Sequence, residues 1–326
     1  MTPPRRHFIG SVAAACAAAL PGWSLAQSGY PSRPLSVVIP YPPGASTDQT
    51  GRLVQTRMAP TFGQPVIAEN RAGAGGVVGA AFVAKSPADG TRILMATQPI
   101  LTISPHLLKD MGFDAQKDLV PVSSAINAVV AICVNSTLPV RNVAELIEYG
   151  RRNPRTLSFG TAGEGSPQHI GGLLLNQRTG LDMVHIPYKG GGPMVTDLLA
   201  GHVKVGIATL SVFKPLLNDP RVRVLAIGEK SRYAGTPDIP TIAETVPGFE
   251  LSTWLGFFTA GATPPAILTA LSAAVEAAVQ SAEVKTPLAN SALLVQAGGP
   301  EALARTVRSD HETYGRIIRD NGIKGS

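Results

Sequence analysis

Three loops in this chain carry residue types that could hold an anion, and each joins an apolar run to a segment with helical spacing. The first, YPPGASTD at 41–48, offers Ser46 or Thr47 as the cap of the following helix, where unpaired backbone N–H groups and the helix dipole favour negative charge. The second, GTAGEGSPQH at 160–169, contains Ser166 followed by Pro167, a helix-start pair, and glycines that let backbone amides come close to a ligand. The third, YKGGGP at 188–193, repeats the arrangement with Lys189 beside it. One such loop would be an ordinary tight turn with a capped helix. Three in one chain point to an anion site between the units that carry them.

Other chemistries find little support. GAGGVVG at 73–79 resembles a dinucleotide loop superficially, but Val78 stands where the third glycine of G-x-G-x-x-G belongs. No HExxH, G-x-S-x-G or CxxC occurs, and the histidines at 106, 169, 185, 202 and 311 lack the close spacing of a metal cluster. Neither a cofactor nor a metal is expected. Aromatic residues make up 5% of the chain and no dense basic run interleaves with them, so nucleic acid is not an expected partner.

The elements that must position the loops follow one repeating order. Residues 35–39 read as a strand, and the helix after the first loop carries Leu53, Val54 and Met58 on one side. PVIAEN, RAGAGG and VVGAAFVAK repeat the strand, turn and helix, and RILMAT supplies another strand before Thr97. A second set runs from AVVAICVN at 128–135 through a helix in NVAELIEYGRRN, the strand LSFGT, the helix IGGLLLNQRTG, the strand MVHIPY, the helix MVTDLLAG and the strand VKVGIAT. This alternation predicts an α/β fold in which each lobe is a mainly parallel sheet flanked by helices. Ile267, Leu268, Leu271, Val275 and Val279, and then Leu303, Val307, Tyr314 and Ile318, mark two amphipathic C-terminal helices facing a core. With 326 residues, 44% of them hydrophobic, the chain divides naturally into two lobes. The expected boundaries are 27–124 for the first part of lobe one, 125–227 for lobe two, and 228–326 for the return.

The first 26 residues read as an export leader. Arg5, Arg6 and His7 precede an apolar stretch from Phe8 to Leu20 that is too short to span a bilayer, and Ser24-Leu25-Ala26 supplies small residues for cleavage after Ala26. RRHFIG also resembles a twin-arginine signal, so either export route remains open. Loss of the two arginines lowers the formal charge from +6 to +4. Cys133, inside AVVAICV, is then the sole cysteine and reads as a buried structural thiol.

The strings YPPGASTD, ENRAGAGG with PADG, GTAGEGSPQH and HIPYKGGGPMVTDLLAGHV, in that order, resemble the substrate-binding receptors of tripartite tricarboxylate transporters, often called the Bug family. The resemblance spans essentially the whole chain after the leader. It implies a two-lobe periplasmic binding protein of the Venus flytrap kind, in which a loop from each lobe pinches one carboxylate of the ligand. It also implies membrane transporter subunits as partners. Carried over residue by residue, the first pincer falls on Tyr41, Gly44, Ala45, Ser46, Thr47 and Asp48, with Thr97 also able to reach the cleft. Ala45 stands where the family usually has a second glycine, which bears on how closely the backbone there can approach a ligand. The second pincer falls on Thr161, Ala162, Ser166 and His169, with Lys189 and Gly190 nearby. His169 could equally serve a local capping role, and Asp48 is expected to hold loop amides or water in place.

The expected protein is therefore a monomeric periplasmic receptor that captures a small carboxylate and delivers it to a tripartite transporter. A sensory receptor for a membrane kinase, or an exported cofactor-dependent enzyme, would be the alternatives. Di- and tricarboxylates, acidic amino acids and aromatic acids all fit the sequence.

Overall fold

The computed structural model describes residues 29–43 and 46–324. The proposed leader, Gly44, Ala45 and the side chain of Ser46 lie outside the described residues. Along the first part of the chain come β1 (Leu35–Ile39), α1 (Ser46–Phe62), β2 (Val66–Asn70), α2 (Val77–Ala84), β3 (Arg92–Thr97) and the short α3 (Gln98–Thr102) and α4 (Ser104–Leu107). β1 lies between β2 and β3 and is parallel to both, with Ile39 opposite Asn70 and Val38 opposite Leu94. That register brings the carboxyl ends of all three strands to one edge.

The long β4 (Leu119–Asn135) then passes from this sheet into a second one. There the chain forms α5 (Val143–Arg152), β5 (Ser158–Thr161), α6 (Pro167–Thr179), β6 (Val184–Pro187), α7 (Gly191–Ala200), β7 (Val205–Thr209), α8 (Leu210–Phe213) and β8 (Val222–Ile227). β5 is parallel to β6 and β7, so their carboxyl ends also share an edge. The chain closes with β9 (Ser252–Ala260), α9 (Pro265–Gln280), α10 (Ala282–Asn290), β10 (Leu293–Gly298) and α11 (Pro300–Asp320).

The α/β, two-sheet architecture expected from the sequence is present, and parallel pairing occupies the outer strands of each sheet. Around β4 the pairing is antiparallel, with β9 and β10 on its first half and β7 and β8 on its second. The sequence reading began this strand at 128. Its first half contains Pro121, and the register against β9 shifts between Pro121 and Ser123 and again between Ser124 and Ile126. Bulges of this kind accommodate a proline that cannot donate to the ladder.

Each sheet is covered on both faces. Val37, Ile39 and Met95 pack against Leu271, Val275 and Val279 of α9, while Val38, Leu94 and Trp254 face Leu303 and Val307 of α11. The second sheet buries Ile132, Phe159 and Ile207 with Leu175 of α6, and on its other face Ala131, Cys133 and Phe213 with Leu198 of α7. Burial pushes the Cys133 thiol up to about 12, as suits an inert structural cysteine.

The second crossing comes later than residue 228. Gly228 donates its amide to Val130 O at 2.8 Å and accepts from Leu251 N at 2.9 Å, and Ile242, Phe249 and Leu251 pack with α6 in the second sheet's core. These contacts keep 228–251 beside the second sheet until β9 enters the first at Ser252. A further apolar cluster joins the two halves, with Ile103 after α3, Ile170 of α6, and Tyr314, Ile317 and Ile318 of α11.

Candidate functional site

At the carboxyl edge of the first sheet, hydrogen bonds tie the first loop to β2 and β3. The Tyr41 hydroxyl lies 2.6 Å from the Thr97 hydroxyl and 3.3 Å from Gly75 O. Burial raises the Tyr41 hydroxyl above its ordinary value, opposed by the bond to Thr97. It stays protonated. Asp48, 4% exposed in the first turn of α1, accepts from Arg52 Nε at 2.9 and 3.1 Å and from Asn70 Nδ2 at 2.7 Å. Asn70 Nδ2 also donates to the Tyr41 carbonyl at 3.0 Å. The Asp48 carboxylate is thus engaged by a guanidinium and an amide. Thr47 is half-buried beside it in the same turn.

The turn at 73–76 completes this edge and was not among the expected site residues. Gly73, Ala74, Gly75 and Gly76 all have positive φ, and a Cβ on Gly76 would lie 2.6 Å from Ile100 Cδ1. Its signal was the glycine run at the end of β2, where a close backbone approach needs residues without side chains.

The second and third loops meet at the carboxyl edge of β5 and β6. The Ser166 hydroxyl accepts from His169 N at 3.2 Å and donates to Gly163 O at 2.8 Å, so it caps α6 while Pro167 takes the first helical position. His169 Nδ1 accepts from Gly165 N at 3.1 Å. Thr161 is fully buried, and its hydroxyl lies 2.8 Å from His185 Nε2. The His169 and His185 rings stack with centroids 3.6 Å apart. Burial lowers His169 to about 4, and burial together with the His169 neighbour lowers His185 to about 3, so both are neutral at ordinary pH. His185 was passed over in the sequence, because a stack between strand and helix cannot be seen from spacing.

The third loop hangs on the second. Tyr188 N donates to Thr161 O at 3.0 Å and Gly190 N to Ala162 O at 3.2 Å, and Gly190, at φ 105°, opens α7. Ala162 and Lys189 are exposed. The two edges come near each other where a Cβ on Gly165 would lie 2.8 Å from Leu107 Cδ1, at the end of α4. Among the described residues no three His, Cys, Asp or Glu side chains gather so as to hold a metal ion.

Both edges lie at the carboxyl ends of parallel strands, the place where open α/β sheets bind ligands. Residues 50–323 match the family described as the tripartite tricarboxylate transporter family receptor. The chain belongs to this family. The receptor is 32% identical over 297 residues to protein BugT of Bordetella pertussis, covering 90% of this chain and 91% of the relative. Among solved structures it is similar to a protein of R. palustris with adipate, at 32% identity and a TM-score of 0.74, covering 91% of this chain and 100% of that one. It is also similar to MatC of Rhodopseudomonas palustris with bound malate, at 29% identity and a TM-score of 0.69, covering 89% and 100%. Receptors of this family are periplasmic solute-binding proteins that take carboxylates, and they are not enzymes.

Proposed function

We propose that this receptor captures a small carboxylate, with a dicarboxylate as the leading class, between the loop at 41–48 and the loop at 161–166. It then delivers the ligand to the membrane subunits of a tripartite transporter. The observation that carries this reading is the pairing of two hydrogen-bonded edges, one on each sheet, joined through β4. Tyr41 and Thr97 stand on one edge, and Thr161 and the Ser166 cap on the other. The positive end of the α6 dipole and the loop amides attract an anion, and Asp48 is engaged by Arg52 and Asn70. Relatives solved with adipate and malate agree with a diacid.

In this reading Gly44, Ala45, Ser46, Thr47, Ala162, His169, Lys189 and Gly190 surround the ligand, and the lobes close on it as a monomer about the crossings at β4 and near Ser252. The chain is exported and cleaved after Ala26. A thermal-shift screen of the secreted protein against carboxylic acids, adipate and malate included, tests the reading, since a ligand that binds the folded state alone raises its melting temperature. A shift with at least one diacid is expected. No shift with any carboxylate, alongside a shift with neutral solutes, would contradict it.

A further inference from the structure

The loop at 161–166 turns through Gly163 at φ 154° and Gly165 at φ 67°, left-handed angles that glycine adopts freely and does not by itself fix. Two side chains fix them instead. Gly163 N donates to the Thr161 hydroxyl at 3.3 Å, and Gly165 N donates to His169 Nδ1 at 3.1 Å. With those two amides committed, the amides of Ala162 and Glu164, both exposed residues, are the loop's unmatched donors among the described residues. Ionised oxygens are strong acceptors for backbone donors of this kind.

The Thr161 hydroxyl has a further partner outside the loop. His185 Nε2, on the edge strand β6, lies 2.8 Å from it. The imidazole is held in place on two sides. Strand register sets His185 opposite the fully buried Phe159, with ring centroids 5.0 Å apart, and its face stacks on His169 with centroids 3.6 Å apart and planes 13° apart. Burial keeps both histidines neutral, so His169 Nδ1 retains the lone pair that accepts from Gly165 N. A loop with two glycines has much conformational freedom to lose on meeting a ligand, and a brace already present in the folded protein removes that cost from binding.

We propose that His185 is a positioning residue for ligand capture, acting through the Thr161 hydroxyl to hold the second loop in the conformation that leaves the Ala162 and Glu164 amides for a carboxylate. The stack on His169 serves to orient the imidazole for this bond. The proposal rests on the reading that the loop at 161–166 holds the carboxylate.

Calorimetry tests it with the acid that gives the parent its largest thermal shift in a carboxylate panel containing adipate and malate. His185→Phe keeps an aromatic ring for the stack and removes the hydrogen bond, and it is expected to weaken binding tenfold or more. His185→Gln sets an amide, able to donate or accept, near the place of Nε2, and should recover binding to within threefold of the parent. A residue needed only for packing would rank the two variants the other way. In a Thr161→Val background, His185→Phe should cost less than twofold further, because the group it acts through is gone. Should His185→Phe fail to fold, Thr161→Val decides. It is expected to shift the ¹⁵N resonance of His185 Nε2 and to weaken binding tenfold or more, and an unmoved resonance or an affinity within twofold of the parent overturns the proposal. So does His185→Phe binding within twofold of the parent, His185→Gln binding no better than His185→Phe, or full additivity of His185→Phe with Thr161→Val. In each of these the parent still binds its acid, so the reading of the loop stands while this proposal fails. If no carboxylate binds the parent, that reading fails and this proposal falls with it.

Discussion

The hydroxyls of Tyr41 and Thr97, at the ends of two parallel strands, lie 2.6 Å apart and hold the first loop against β3. Tyr41→Phe removes this bond and the one to Gly75 O while keeping the ring. The variant is expected to lose about 1 kcal/mol of stability in urea unfolding and to bind its carboxylate more weakly, because the loop is no longer held for its ligand. Unchanged affinity with reduced stability would make the pair a purely structural contact.

Asp48 has the larger structural charge. Asp48→Ala leaves Arg52 Nε and one Asn70 amide proton without their shared acceptor, and a loss of about 2 kcal/mol is expected from hydrogen bonds to a charged group. If Asp48 instead contacted the ligand directly, affinity would collapse with no change in the urea midpoint, and that outcome would remove the structural assignment.

The stacked histidines predict a pH dependence of definite sign. An unfolded histidine takes up a proton near 6.5, whereas burial holds His169 to about 4 and His185 to about 3. Between those values the unfolded chain binds more protons than the folded one, so stability falls as pH drops from about 6.5 towards 4. His106, also lowered by burial, adds to the same slope. Melting temperatures of the parent and His185→Gln across this range should show a shallower decline in the variant. Parallel curves would contradict the assignment.

Glu229 behaves oppositely. It is 7% exposed, its Oε1 has no partner among the described residues, and burial with the nearby Glu250 raises it from 4.5 to about 7, partly opposed by Lys230. A raised folded value means that the cost of ionising it is absent below 4.5, grows as pH rises, and is complete above 7. Glu229→Gln is expected to stabilise the protein at pH 8 by on the order of 2 kcal/mol and to give no gain at pH 4.5. Equal effects at both values would show that the carboxyl is not buried in solution.

The parts of this site that follow local rules were legible in the sequence. Ser166-Pro167 announced the α6 cap, and the apolar runs punctuated by Gly and Pro announced β1, β3, β5 and β7. What depends on register between distant segments was not. Asn70 reaches Asp48 because β2 lies parallel to β1, and His185 meets His169 because β6 pairs with β5 ahead of the α6 start. β9 pairs with strands more than a hundred residues earlier, so no neighbouring turn or helix signals it, and the first half of β4 was hidden by Pro121. The hydrogen bond from Gln98 to Asp310 joins residues 212 positions apart, beyond the reach of any local pattern.

Calorimetry on Ser46→Ala, Ser166→Ala and the double variant measures whether both loops hold one carboxylate. The titrant is whichever acid gives the largest thermal shift in a panel containing adipate and malate. Each single variant is expected to weaken binding by about 1 kcal/mol if a cap alone is lost and by up to about 3 kcal/mol if a charge-assisted hydrogen bond goes with it. The double variant should lose less than the sum, since losing one loop already keeps the other from closing on the ligand. Three folded variants that all bind like the parent would contradict the placement of the carboxylate between the two loops.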